Sequence, residues 1–409
     1  MKDRDVLREL VKRYAEIAAL PIQEEKRRLW TAHFGMQKTR MLVLATYGMW
    51  NIWCREVFAD SEMQCKDEFY REYERSLKIQ IFHHQMVGDD FIQEPWITLG
   101  ATRAKPGDTG WGVDESLVGA DGKGGSGRFN PPIKSWDDTL KLHPLAHHVD
   151  EGETRRNYSR LADAVGDIIT INVDRTPAFH GFGSDISTSI ARLRGLEQLM
   201  IDMYESPAEL HRLLAFMRDG ILKNNDDGER MGHYSLTSGV NQAMPYAPEL
   251  PAPRPNSEPV KRSQLWGFCA AQEFTLISPK FHEEFLLRYQ LPIYENYGLV
   301  HYGCCEDLIN KIGLFKNWKN LRSIAVTPVA DVRKCAERIG TDYVISWRPN
   351  PADVICCGFD EDKIRRIIGK GIDDLAGTCY HIHLKDVETL EGDVSRLRRW
   401  VDIVRSRGC

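Results

Sequence analysis

The sequence predicts an α/β fold: a (β/α)8 barrel preceded by an N-terminal helical extension, with long loops over its active-site end. Three observations carry that expectation. Short apolar runs alternate with amphipathic stretches through the second half of the chain, the pattern of a parallel sheet. Five such runs follow residue 260 and several precede it, which approaches the eight strands of a closed barrel. Nearly every late run ends in polar or ionisable residues, as expected when strand ends ring one pocket. An open doubly wound sheet is the alternative architecture.

From Arg4 to about Leu42 the spacing of Leu7, Leu10, Val11, Tyr14 and Ile17 predicts helix, and a second helical block covers about Cys65 to Met86. Residues 1–90 are thus expected as the helical extension and residues 91–409 as one catalytic barrel. Phe91 to Gly100 reads as a strand, followed by an irregular stretch from about Ala101 to Pro132. The cluster Asp121-Gly122-Lys123-Gly124-Gly125-Ser126-Gly127 lacks the Lys-Ser or Lys-Thr ending of a phosphate loop, and no apolar strand immediately precedes it. It is expected to be a mobile loop or lid. Asp167 to Asp174 reads as a strand and about Ser187 to Lys223 as helix. The segment from about Ser235 to Pro259 holds six of the chain's nineteen prolines and cannot pair regularly. Beyond it, strands are expected at Gln264–Cys269, Leu299–Gly303, Leu321–Val326, Tyr343–Trp347 and Cys379–Leu384. Helices are expected at Pro279–Tyr297, Ala330–Ile339 and about Ser395–Arg405.

The chain has 409 residues, of which 42% are hydrophobic, enough for one large domain with additions. A net charge of −5 with scattered Lys and Arg argues against nucleic acid. Ten cysteines in so long a chain, two pairs of them adjacent in sequence, fit reduced thiols better than a disulfide framework. The N-terminus is charged, with no signal peptide, and no apolar run is long enough for a membrane span. The protein is therefore expected to be cytoplasmic.

The densest chemistry lies in Leu299-Val300-His301-Tyr302-Gly303-Cys304-Cys305-Glu306-Asp307, where an apolar run ends in an imidazole, two thiols and two carboxylates. At other strand ends stand Glu273, Arg348 in Trp347-Arg348-Pro349-Asn350-Pro351, and His381, His383, Lys385 and Asp386. Thiolate, imidazole and carboxylate together suit zinc, with His301, Cys304, Cys305 and His383 as candidate ligands. His381 and His383 alternate on one strand and so share a face. Quieter roles are expected elsewhere. Cys356-Cys357 reads as packing, His83-His84 as ordinary helix residues, and His143, His147, His148 and Asp150 as a surface or substrate-contact cluster.

The run from Ser278-Pro279 through Tyr302-Gly303-Cys304-Cys305-Glu306, together with Ser346-Trp347-Arg348-Pro349-Asn350-Pro351-Ala352 and Leu384-Lys385-Asp386-Val387-Glu388-Thr389, resembles the uroporphyrinogen decarboxylase superfamily. It looks most like the decarboxylase-like branch related to zinc-dependent corrinoid methyltransferases. The resemblance is specific over about residues 260–405 and compatible over 190–230. It implies a (β/α)8 barrel with an N-terminal helical extension. The Arg-Gln-Ala-Gly-Arg signature of the true decarboxylases does not occur, which disfavours porphyrinogen decarboxylation. The family's zinc methyltransferases use His-x-Cys and a later cysteine. Here the spacing is His301-x-x-Cys304-Cys305, and the last strand carries His381 and His383 instead.

The expected function is a zinc-dependent methyltransferase component that moves a methyl group from a small methylated substrate, a methoxylated aromatic in the preferred version, to cobalamin carried by a partner corrinoid protein. Trp266, Tyr302 and Trp347 are expected to form an apolar substrate pocket. Glu273 or Glu306 would orient the substrate, and Arg348 or Lys385 would neutralise its carboxylate. The alternatives are a metal-independent decarboxylase or lyase acting on an acidic substrate, and a non-catalytic corrinoid- or tetrapyrrole-binding accessory protein whose cysteines are structural. A homodimer is a family-level expectation only.

Overall fold

Two amphipathic helices, Asp3–Ala18 and Pro21–Phe34, open the chain. Pro21 suits the first helical turn, where its missing N–H costs nothing. The first helix buries Val6, Leu7, Val11 and Ile17 in a cluster with Leu77, Ile81, Leu161 and Val165. The computed structural model describes residues 2–47, 56–103, 110–114, 116–118 and 128–407, so the glycine cluster of Asp121–Gly127 lies outside the described residues.

Among the described residues ten strands follow: β1 (Val43–Tyr47), β2 (Trp96–Gly100), β3 (Ser116–Val118), β4 (Arg128–Asn130), β5 (Thr170–Asp174), β6 (Trp266–Cys269), β7 (Leu299–Tyr302), β8 (Leu321–Val326), β9 (Val344–Trp347) and β10 (Cys379–Val387). Six of them form one parallel sheet in the order β1-β10-β9-β8-β7-β6. β2 pairs in parallel with β5, and β3 with β4 in an antiparallel ribbon. The fold is thus α/β, with a curled six-stranded half-barrel and a separate parallel pair. A closed eight-stranded ladder is not found among the described residues.

The breaks in the ladder have a physical cause. Beside β1, carboxylates stand in for a neighbouring strand: the Val43 amide donates to Asp90 and the Ala45 amide to Asp89. Beside β5, Asn256 of the proline-rich segment does the same, accepting from the Val173 amide and donating to the Ile171 carbonyl. On the other side of that gap the Val240 amide donates to the Trp266 carbonyl. Buried strand edges need such partners, because unpaired backbone groups are costly away from water.

Several elements differ from expectation. The first helical pattern stops at Phe34, and the run up to Tyr47 is the edge strand β1. Glu151–Val165, capped by Asp150, is a helix where none was expected. The stretch from Ser187 breaks into Ser187–Arg194, Leu196–Glu205 and Pro207–Arg230, with Gly195 at φ 87° and Pro207 at the two junctions. Pro95 keeps Phe91 to Pro95 out of β2. The late helices Val332–Ile339 and Ser395–Arg407 stand where helices were expected, and Glu361–Asp374 lies between β9 and β10.

Candidate active site

Period-two alternation sorts the late strands into two faces. His301 on β7 stacks on Phe268 of β6 at 5.7 Å, bonds Ser323 Oγ of β8 through Nδ1 at 3.0 Å, and meets Arg348 Nη2 through Nε2 at 3.3 Å. Phe268, His301, Ser323 and Arg348 therefore share the inner face. Tyr302 points the other way, its hydroxyl 2.8 Å from His282 and its ring against Phe315 and Trp318. Trp347 packs so tightly on the helix Glu361–Asp374 that a Cβ on Gly371 would stand 2.0 Å from its ring. Trp266 bonds the Pro245 carbonyl and packs on Phe34 in a cluster that also holds Trp30 and Leu44. The three aromatics expected to line a substrate pocket are thus fully packed in the core and do not come together at one site.

The centre of the site is Cys304. β7 ends at Tyr302, and Gly303 turns the chain at φ 102°, a conformation that L side chains rarely adopt. The buried Glu306 carboxylate fixes this turn, accepting from the amides of Ala271 at 2.7 Å, Cys304 at 2.8 Å and Cys305 at 2.9 Å. Three of its roughly four acceptor sites are engaged by backbone amides, so it holds the shape of the turn that presents Cys304. The Cys304 sulfur then receives Lys385 Nζ at 3.2 Å and Gln242 Nε2 at 3.3 Å, and lies 3.5 Å from the Cys305 sulfur. The Arg348 guanidinium donates to the Cys304 carbonyl.

These neighbours favour the thiolate. The Cys305 thiol hydrogen bond, with Arg348, Lys385 and Gln242, outweighs burial and lowers the Cys304 pKa to about 5. Cys305 moves in the opposite direction, upward, because it keeps the shared proton beside an anionic neighbour. Burial holds His301, His381 and His383 neutral, with the Arg348 charge acting in the same sense on each.

The expected zinc ligands do not assemble around one point. Cys304 and Cys305 adjoin, but both nitrogens of His301 are occupied, and His383 Nε2 lies 3.1 Å from the Thr46 hydroxyl. Among the described residues no three His, Cys, Asp or Glu side chains gather as a metal-holding group. His381 sits deeper, its Nδ1 3.0 Å from His33. His147 pairs with His233 at 2.7 Å, His83 with Asp89 at 2.9 Å, and Cys356 is buried beside an exposed Cys357.

Glu273, half-buried past the end of β6, lines a cavity of about 950 Å3 together with Lys134, Thr188, Arg192, Leu196 and Gln272. Its neighbour Asp185 is fully buried, and burial together with the Glu273 charge raises its pKa well above the carboxylate range. The next residue, Ile186, has φ 62°, strained for a β-branched side chain. Asp185, Gln242 and Ser323 were not singled out from sequence. Gln242 lies in the proline-rich segment, which was legible as a cover but not residue by residue.

No family model matches the chain, and no curated protein does. Among solved structures the chain is similar to a methyltransferase from Methanosarcina mazei, with a TM-score of 0.53 and 11% identity, over 93% of this chain and 98% of that one. At that identity the likeness establishes a shared fold and nothing finer.

Proposed function

We propose that the chain is a methyltransferase component that takes the methyl group of a small methoxylated aromatic acid and passes it to a corrinoid carried by a partner protein. The observation that carries the reading is the placement of Cys304 at the strand ends, its sulfur 3.2 Å from Lys385 Nζ and its carbonyl bonded by Arg348, an arrangement that favours the thiolate. The likeness in fold to a methyltransferase supports it. A thiolate is a strong nucleophile toward a methyl carbon. In this reading the Cys304 sulfur attacks the methyl carbon, the S–C bond forms as the C–O bond breaks, and the phenolate leaves with the electron pair. Lys385 stabilises the developing oxyanion and supplies its proton. A reduced corrinoid, when bound, would supply a two-electron nucleophile for the methyl group, and Cys304 would leave as the thiolate. The hydrogen bonds from Lys385, Gln242 and the Cys305 thiol make that sulfur a better leaving group.

The expected result is single-turnover transfer from 3-methoxybenzoate that leaves a methyl group on the Cys304 peptide by mass spectrometry, and none with Cys304→Ala. A transfer that survives Cys304→Ala overturns the thiolate role. A zinc ion needs a third protein ligand beside two sulfurs. Stoichiometric zinc in chelator-free protein, lost in the Cys304→Ala and Cys305→Ala variants, would return Cys304 to the role of metal ligand. The buried cations Arg348 and Lys385 also suit a decarboxylase or lyase on an acidic substrate. Release of CO2 from the acid without methyl transfer selects that second reading.

A further inference from the structure

We infer that the interior of the half-barrel beneath Cys304 is a chamber for one carboxylate of the substrate, held by Arg348 with Ser346, His381 and His383. The identity of the remaining substrate rests on the methyl-transfer reading.

The argument starts from strand register. β9 and β10 run in parallel with His381 opposite Ser346 and Ile382 opposite Trp347. Trp347 points outward onto Gly371. By alternation Ser346 on β9 and Arg348 just past its end, and His381 and His383 on β10, lie side by side on the inner face. All four are buried, at 0%, 1%, 0% and 2% exposure in that order. Each also carries a buried polar atom without a partner: Ser346 Oγ, Arg348 Nε, His381 Nε2 and His383 Nδ1.

Native interiors leave few buried polar atoms unsatisfied, and each one costs free energy. Four on neighbouring positions of two strands describe the lining of a site whose occupant is polar. The charge of that occupant follows from Arg348. Its bonded partners are the Cys304 carbonyl and the neutral His301, and no carboxylate pairs with it among the described residues. A guanidinium so deeply buried is stabilised by an anion in contact with it, and among the described residues neither the Cys304 sulfur nor the Glu306 carboxylate, which accepts from backbone amides, is a hydrogen-bond partner of Arg348.

The donor chemistry of the lining suits a carboxylate. The bare Arg348 Nε presents a planar N–H edge that matches a carboxylate oxygen, and the Ser346 hydroxyl rotates to donate. Each histidine has one nitrogen already engaged, His381 Nδ1 by His33 and His383 Nε2 by Thr46. The opposite nitrogen of each presents N–H or a lone pair according to tautomer, so the pair adapts to either face of the bound group without ionising. An acid anchored there would carry its body upward toward Cys304, whose carbonyl shares the Arg348 guanidinium.

Calorimetric titration of the full-length chain with 3-methoxybenzoate and with the neutral 3-methoxybenzamide tests this. The acid should bind at least about tenfold more tightly, and Ser346→Ala should weaken the acid about threefold with little effect on the amide. Arg348→Gln should bring the two ligands within about twofold of each other. The comparison on the unaltered chain stands even if that variant does not fold. Equal affinities, or no heat from either compound, overturn the chamber and leave water as its occupant. Methyl transfer is read separately. Acid preference without transfer refutes the proposed reaction and keeps the carboxylate site, whereas transfer without acid preference does the reverse.

Discussion

A cysteine thiol ordinarily titrates near 8.5, and burial alone moves it upward. At Cys304 the hydrogen bond from Cys305 is the largest opposing influence, followed by the charges of Arg348 and Lys385 and the amide of Gln242. The folded pKa is depressed, so the thiolate persists as pH falls and is lost only on passing through about 5. Alkylation of Cys304 by iodoacetamide, followed by peptide mass spectrometry, should therefore run at a constant rate above about pH 6 and decline below it. Cys305→Ala should move the midpoint upward, and further than Lys385→Gln does. A midpoint unmoved by Cys305→Ala would show that the cations alone hold the thiolate. At this scale the sequence exposed the ionisable residues well, because His301, Cys304, Arg348 and Lys385 all stand at strand ends. It could not show that Glu306 is consumed by three backbone amides, nor that Tyr302 and Trp347 face outward, since each adjoins an inward residue and only the register of the sheet tells them apart.

The turn after β7 depends on Glu306 as an acceptor for amides on two segments, Ala271 beyond β6 and Cys304-Cys305 beyond β7. Glu306→Gln keeps the size of the side chain but turns one acceptor into a donor that faces backbone N–H groups. It should cost about 2–3 kcal/mol, because at least one buried amide loses its acceptor. A lowered urea midpoint with an unchanged m-value measures this, and an unshifted midpoint would mean that water replaces the carboxylate at no cost. The same link between neighbouring elements explains which of them were legible. The late strands were, because each apolar run ends sharply in polar residues. Strand β1 was not: the helical reading ran on to about Leu42, and the short apolar run Val43–Tyr47 just beyond it cannot be assigned by periodicity alone. What makes it a strand is its pairing with β10, a partner more than 300 residues away in the chain.

At the scale of the molecule, the six-stranded half-barrel and the β2-β5 pair are joined by side chains where a ladder would otherwise run. Asn256 is the hinge of that arrangement. It adopts φ 47°, which asparagine tolerates better than most residues, and its amide donates to Asn172 Oδ1 at 3.0 Å. Its side chain accepts from Val173 at 3.0 Å and donates to Ile171 at 2.8 Å, so one residue imitates a short stretch of neighbouring strand. Asn256→Ala removes both side-chain bonds and places a Cβ residue without asparagine's tolerance in the left-handed region. The loss should be about 1–2 kcal/mol, modest because the residue is exposed and water reaches part of the vacated edge. The opening should also be local, since a strand edge that loses its cover unfolds before the core does. Hydrogen exchange should accelerate at Val173 while the amides of β7, β8 and β9, inside the six-stranded sheet, keep the protection of the parent chain. Asn256→Gly separates the two contributions, because it relieves the backbone but cannot restore the bonds: exchange at Val173 should stay fast. If Gly instead recovers slow exchange, the backbone conformation holds the β5 edge and the side-chain bonds are incidental to it.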